Sequence, residues 1–153
     1  MQAARELIRA IYARLGALES IYRLFVRVSV GLMFFGGAIH KVGNIGEFTE
    51  YLRSLGVPAA EVQGPFVAGT ELVASFLLMI GLLTRPAAVA LTCVMTVALL
   101  TAGIPDKHIT ATWGGLLDFL YLNDWLLILL LLWMVLVGPG RASADQIIAQ
   151  KLG

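Results

Sequence analysis

The sequence predicts an all-α polytopic membrane protein: an antiparallel bundle of four transmembrane helices, with an amphipathic helix ahead of it and a short helix behind it. Three observations predict that class. Four apolar stretches, at about 22–39, 65–83, 86–104 and 119–138, each come near the roughly 20 residues that carry a helix across about 30 Å of hydrocarbon. The chain is 59% hydrophobic and 14% charged, against roughly 45–50% and 25% in soluble domains, so a compact soluble fold would lack the polar surface to cover itself. The basic residues also sort to one side. Arg5, Arg9, Arg14 and Arg23 precede or open the first stretch, Arg85 sits between the second and third, and Arg141 and Lys151 follow the fourth. Only Lys41, Arg53 and Lys107 lie on the other side, so the positive-inside rule puts both termini and the short turn in the cytoplasm.

Residues 1–21 are expected to form an amphipathic helix on the cytoplasmic side. Leu7, Ile8, Ile11, Leu15 and Leu18 recur at helical spacing, and Arg5, Arg9 and Arg14 can reach lipid headgroups, unless the helix packs on its own bundle. A basic start before an apolar run is also how an export signal reads, but the basic region is long and the chain starts at Met1, so a retained segment is expected. Residues 22–138 form the transmembrane domain. Gly31, Gly36, Gly37 and Ala38 in the first span, with Ala68, Gly69, Ala74 and Ser75 in the second, mark where backbones can approach closely. Between these spans, turn formers flank a short surface helix at 47–55. Its Phe48, Tyr51, Leu52 and Leu55 share one face, expected to lie on the outer interface or to cap the bundle. The tight turn at 83–86 makes the second and third spans antiparallel neighbours. The fourth span is almost all Leu, Ile, Trp and Val and suits lipid, with Trp113, Tyr121, Trp125 and Trp133 as interfacial anchors. Residues 139–153 are expected to form a cytoplasmic helix capped by Ser143.

Charge and cysteine content exclude several functions. A formal net charge of +1, with the basic residues spent on topology, argues against a nucleic-acid partner. Cys93 is the single cysteine, so neither an internal disulfide nor a CxxC pair is available, and it is expected to be a small apolar filler between helices. No metal is expected. A charge near the bilayer centre costs at least about 2.5–3.5 kcal/mol on insertion scales and therefore normally faces the bundle with a partner. Glu71 is the clearest such group, roughly 9 Å inside the outer boundary at 1.5 Å per residue. Arg27 lies at a similar depth on the cytoplasmic side and either snorkels or turns inward. Counting depth along the spans brings His40, Lys41, Glu71, His108, Asp118 and Asp124 to one outer level, with Lys41 as the counter-charge of Glu71. In the plainer alternative only Glu71 is enclosed and the others are solvated span ends.

Several runs resemble one known family. They are Gly36-Gly37-Ala38-Ile39-His40-Lys41, then Gly56-Val57-Pro58, Glu71, Gly81-Leu82-Leu83-Thr84-Arg85-Pro86-Ala87, and Gly138-Pro139-Gly140-Arg141-Ala142-Ser143-Ala144-Asp145. In order and spacing they resemble the DoxX family of small bacterial membrane proteins. The resemblance implies a four-helix protein of the bacterial plasma membrane and a link to redox metabolism, since some members are associated with thiosulfate:quinone oxidoreductase and others with complexes that handle thiol or oxidative stress. It implies an architecture more than a reaction.

Two functions of different class follow. In the first, the chain is the membrane subunit of an oxidoreductase complex with a quinone in its outer half. Glu71, His40 and His108 are then the proton-transfer candidates, and Lys41, Glu71, Asp118, Asp124 and Trp113 line the pocket. The chain has no flavin fingerprint and no cysteine cluster, so electrons are expected from a protein partner. A haem between His40 and His108 is not expected, because lone histidines near span ends are more often interfacial side chains. In the second, the chain is a non-catalytic anchor that recruits soluble redox enzymes. A small proton-coupled transporter using Glu71, in a homo-oligomer, is the remaining alternative.

Overall fold

The computed structural model describes residues 2–106, 109, 113–140 and 143–152. All of its regular structure there is helical. Helix α1 runs unbroken over Gln2–Gly43, so the backbone stays helical from the amphipathic lead-in into the first apolar stretch. Its apolar part is Leu18–Gly43, long enough to cross a membrane. The short α2 (Ile45–Ser54) follows, then α3 (Ala60–Ile80) and α4 (Thr84–Ala98), which continues as a π-helical turn over Leu99–Gly103. The chain goes on through α5 (Ile104–Asp106), α6 (Trp113–Leu120), α7 (Asn123–Val137) and α8 (Ala144–Leu152). Among the described residues, three helices are long and apolar enough to cross a membrane, or four if the bent pair α6 and α7 counts as one.

That bent pair departs from the single stretch expected at 119–138. The chain leaves the helix at Tyr121 and Leu122, where Leu122 is extended, and the two helices differ in direction by 61°. The 15 residues of α7 rise only about 22 Å, less than the hydrocarbon thickness. Asn123-Asp124 is the physical reason for a helix start there: it places a carboxylate in the first turn of α7, where the N-terminal dipole favours negative charge.

Small residues bring α1 onto α3, but not all of those expected. A side chain at Gly31 would run into Met79 and lie 3.2 Å from the Ser75 carbonyl, and Ala38, Ala68, Ala74 and Ser75 are buried. Gly36, Gly37 and Gly69 meet nothing within 4 Å. At 3.6 residues per turn, a helix that buries Val30, Phe34 and Ala38 turns residue 36 outward, whereas residue 37 shares the face of Val30 and is exposed because no neighbour packs over it. The core between the spans adds Leu78, Leu91, Leu99, Ile128, Leu131 and Met134.

At the Arg27 end, the turn joining α3 to α4 is closed by the C-terminal segment. Gly81, at φ +73°, ends α3 with bonds from its own N–H to the Leu78 carbonyl and from the Leu82 N–H to the Leu77 carbonyl. Residue Leu83 offers no side-chain cap to α4, and the gap is filled from far along the chain. The Asp145 carboxylate accepts from the Leu83 N–H at 2.7 Å and the Thr84 N–H at 3.0 Å, while the Asp145 N–H donates to the Gly81 carbonyl at 3.0 Å. Arg27 is 3% exposed and donates to the Pro139 carbonyl at 2.7 Å, so it turns inward rather than snorkelling. Ser143 is the cap expected for α8, its hydroxyl accepting from the Gln146 N–H at 3.2 Å.

Burial works to raise the Asp145 pKa, but the hydrogen bonds from Thr84 and Leu83 and the Arg27 charge together hold it below the usual carboxylate value. A carboxyl whose folded pKa is depressed contributes its stability in full above the unfolded value and loses it as the pH falls through the folded one. We therefore expect Asp145→Asn to lower stability at neutral pH by about 1 kcal/mol, the usual scale of a lost helix cap. The gap from wild type should close in acid, below the depressed pKa. Thermal unfolding in detergent at neutral and acid pH checks both, and an equal gap at the two would refute the assignment.

Candidate functional site

The only buried carboxylate among the described residues sits at the other end of the bundle. Glu71, on α3, has a side chain 3% exposed, and Lys41, on the last turn of α1, holds both of its oxygens at 2.7 and 2.6 Å. A carboxylate enclosed by apolar helices needs such a partner, and Lys41 reaches it because the late part of α1 lies against the early part of α3. The Lys41 ammonium also stands 5.2 Å from the centre of the Phe48 ring, which lies on α2. One cation therefore joins α1, α2 and α3.

Helix α2 is held down at further points. Thr49 crosses Gly64 so closely that any side chain at Gly64 would meet its hydroxyl, and Arg53 bonds Glu50 on α2 and Glu61 on α3. The face expected from the sequence is the one turned inward: Phe48, Tyr51, Leu52 and Leu55 roof a cavity of about 350 Å³. Its walls come from Phe66 and Val67 on α3 and from Cys93, Val94, Val97 and Ala98 on α4, continuing into the π-helical turn at Thr101 and Ala102. Nearly all of this lining is apolar, and among the described residues Lys41 is the one charged group in it. Phe66 and Val97 are exposed, which leaves the slot accessible between α3 and α4. A smaller cavity of about 130 Å³ lies on the other side of Lys41, bounded by His40, Asn44 and Glu47. Lys41, Phe48 and Tyr51 line both cavities and form the partition between them.

The residues singled out from the sequence are thus distributed unevenly. Lys41 and Glu71 are paired, and Asp124, at the start of α7, lies close enough to Lys41 to feel its charge. Asp124 packs against the π-helical turn, where its Oδ2 would be 3.2 Å from a side-chain carbon at Gly103. Glu71 stands behind Lys41 and lines neither cavity. His40 is exposed and borders only the smaller cavity. Asp118 is exposed, and Trp113, at 76% exposure, lies on the surface rather than in the slot. His108 falls outside the described residues. Cys93 was expected as filler between helices but is exposed into the slot wall. Its position in the middle of an apolar span masked this, because periodicity alone does not separate a slot-facing from a core-facing residue. Among the described residues no group of three His, Cys, Asp or Glu converges as metal ligands would.

The model of the DoxX family matches residues 22–104, more than half of the chain. The chain belongs to the DoxX family. It is a small, multi-pass membrane protein, and the matched region holds α2, the Lys41–Glu71 pair and the walls of the slot. Comparison with curated proteins and with solved structures finds no match.

The ion pair makes its own prediction in this DoxX protein. Lys41→Met should destabilise it by roughly 3–5 kcal/mol, because it leaves the Glu71 carboxylate enclosed without a counter-charge. The double variant Lys41→Met/Glu71→Leu should recover most of that loss. Unfolding in detergent of the two single variants and the double variant measures the coupling, and additive losses would show that the pair contributes nothing to stability.

Proposed function

We propose that this DoxX protein is an integral membrane subunit of a redox complex and that the slot under α2 binds a quinone. The supporting observation is the roughly 350 Å³ apolar slot with a single ammonium in its wall. Its size falls within the usual range of small-molecule sites. Its chemistry fits as well: a quinone ring and tail need apolar walls, and a ring carbonyl needs a donor such as the Lys41 Nζ. When bound, a quinone supplies an acceptor for electrons and protons. The chain's own part is to bind and orient it. Lys41 meets the carbonyl, Glu71 holds Lys41 in place, and the apolar face of α2 excludes water. His40 and Glu47, in the smaller cavity on the far side of Lys41, are positioned to exchange protons with it from the aqueous side. Glu71 acts through Lys41 in this reading.

In the same reading, the spans form an antiparallel four-helix bundle in a bacterial plasma membrane, with α6 and α7 together as the fourth, the slot in the outer half and both termini in the cytoplasm. Electrons come from a partner subunit. The lateral access between α3 and α4 then faces the acyl chains, from which a lipophilic ligand would enter. A non-catalytic anchor is favoured instead by α8, whose exposed Ile147 and Ile148 present an apolar face to a soluble partner.

Wild-type protein purified in mild detergent should retain quinone extractable by organic solvent. Ala98→Trp, which places an indole in the slot, should lower the retained amount at least about tenfold with unchanged helical circular dichroism. Equal retention by the two proteins would exclude the slot as the site.

A further inference from the structure

We infer that the slot selects an uncharged, acceptor-headed lipophile over an anionic one, and that Glu71 sets this selectivity. The inference rests on the slot being the ligand site proposed above and names the class of ligand it takes. An apolar trough that ends at a lysine is equally the form of a fatty-acid site, and a bilayer offers both kinds of ligand. What separates them is the charge left on Lys41 once its neighbours are counted.

An ammonium has three N–H donors. Both Glu71 oxygens lie within 2.7 Å of the Lys41 Nζ, which engages two of the donors and leaves one for the slot. Glu71 alone brings the pair to neutrality, and any ionised fraction of Asp124 makes the group negative. Glu47, bordering the smaller cavity, adds a further acidic group on the aqueous side, and among the described residues no second basic residue lines either cavity apart from His40. A neutral carbonyl can take the remaining N–H without disturbing this balance. A carboxylate head would have to sit beside the Glu71 carboxylate in an environment of low dielectric, where like charges repel strongly. Selection is thus made by repulsion of the wrong ligand as much as by attraction of the right one. Glu71 acts as a positioning residue, since it reaches the ligand only through Lys41.

Cys93, the single cysteine, lines the slot and reports its occupancy without an added label. The rate of its alkylation by N-ethylmaleimide is measured in the purified full chain at a pH where fatty acids are ionised. Increasing decylubiquinone is compared with increasing dodecanoate. Wild-type protein should be protected by decylubiquinone at concentrations at least about tenfold lower than by dodecanoate. In Glu71→Gln, dodecanoate should gain at least about tenfold while decylubiquinone changes less, a shift in preference that a purely structural role for Glu71 would not produce. Should that variant fail to fold, the wild-type comparison still decides. Equal protection of wild type by both compounds would overturn the selectivity and leave the quinone site standing. Protection by neither would overturn the site and the selectivity together.

Discussion

A carboxylate enclosed in an apolar bundle must have its charge answered locally, and in this protein Lys41 supplies the answer to Glu71. Much of the architecture at that end follows from it. The pair ties the last turn of α1 to α3, and Gly31 lets the same two helices close up further along, against Ser75 and Met79. The two contacts are ten residues apart on α1, about 15 Å at the helical rise, so together they set both the register and the direction of one helix on the other. Because Lys41 also faces the Phe48 ring, the position of α2 depends on the same charge. The slot exists because α2 is held over α3 and α4 instead of folding flat onto them.

The opposite end solves a different problem by different means. There the demand comes from backbone groups at the turn between α3 and α4, whose donors have no local side chain to meet. Asp145, more than sixty residues away in sequence, meets them, and Arg27 and Ser143 fasten the segment that carries it. Every polar group in that arrangement is directed at the chain itself. At the Lys41 end the polar group is shared with two cavities. The contrast separates an end closed by the chain's own groups from one whose ammonium borders open space.

How much of this could be read beforehand depended on whether the signal was local. The apolar stretches of α1, α3 and α4 have helical length and composition, so their existence needs no tertiary information. The Lys41–Glu71 pair was accessible from depth counting alone, because a buried carboxylate restricts its partners to charges at its own level. The face of Phe48, Tyr51, Leu52 and Leu55 was legible from helical spacing, although what it covers was not. Three features escaped that reading. Whether Gly36 packs or faces outward depends on the rotation of α1, which Val30, Phe34 and Ala38 decide, and whether Gly37 packs depends on a neighbour that α3 does not supply at its level. The cap of α4 comes from Asp145, and nothing near Leu83 announces it. The break at Leu122 is marked by Asn123-Asp124, but the apolar run around that pair is long enough to read as one span.

Departures from regular α-helix within the spans also gather near the ion pair. The π-helical turn at Leu99–Gly103 and the bend between α6 and α7 meet where Asp124 approaches Gly103. A π-helical turn widens the helix by one residue and is costly enough that it tends to persist where it positions something. Here it carries Thr101 and Ala102 into the slot wall on one side and receives Asp124 on the other. The break at Leu122 in turn puts Asp124 in the first turn of α7, within reach of the Lys41 charge. Glu71 thus bonds Lys41 from α3, while Asp124 on α7 lies near enough to feel the same charge. The bidentate contact from Glu71 orients Lys41 and restricts which acceptor its remaining N–H can meet. The irregular backbone and the ion pair are for this reason parts of one electrostatic arrangement.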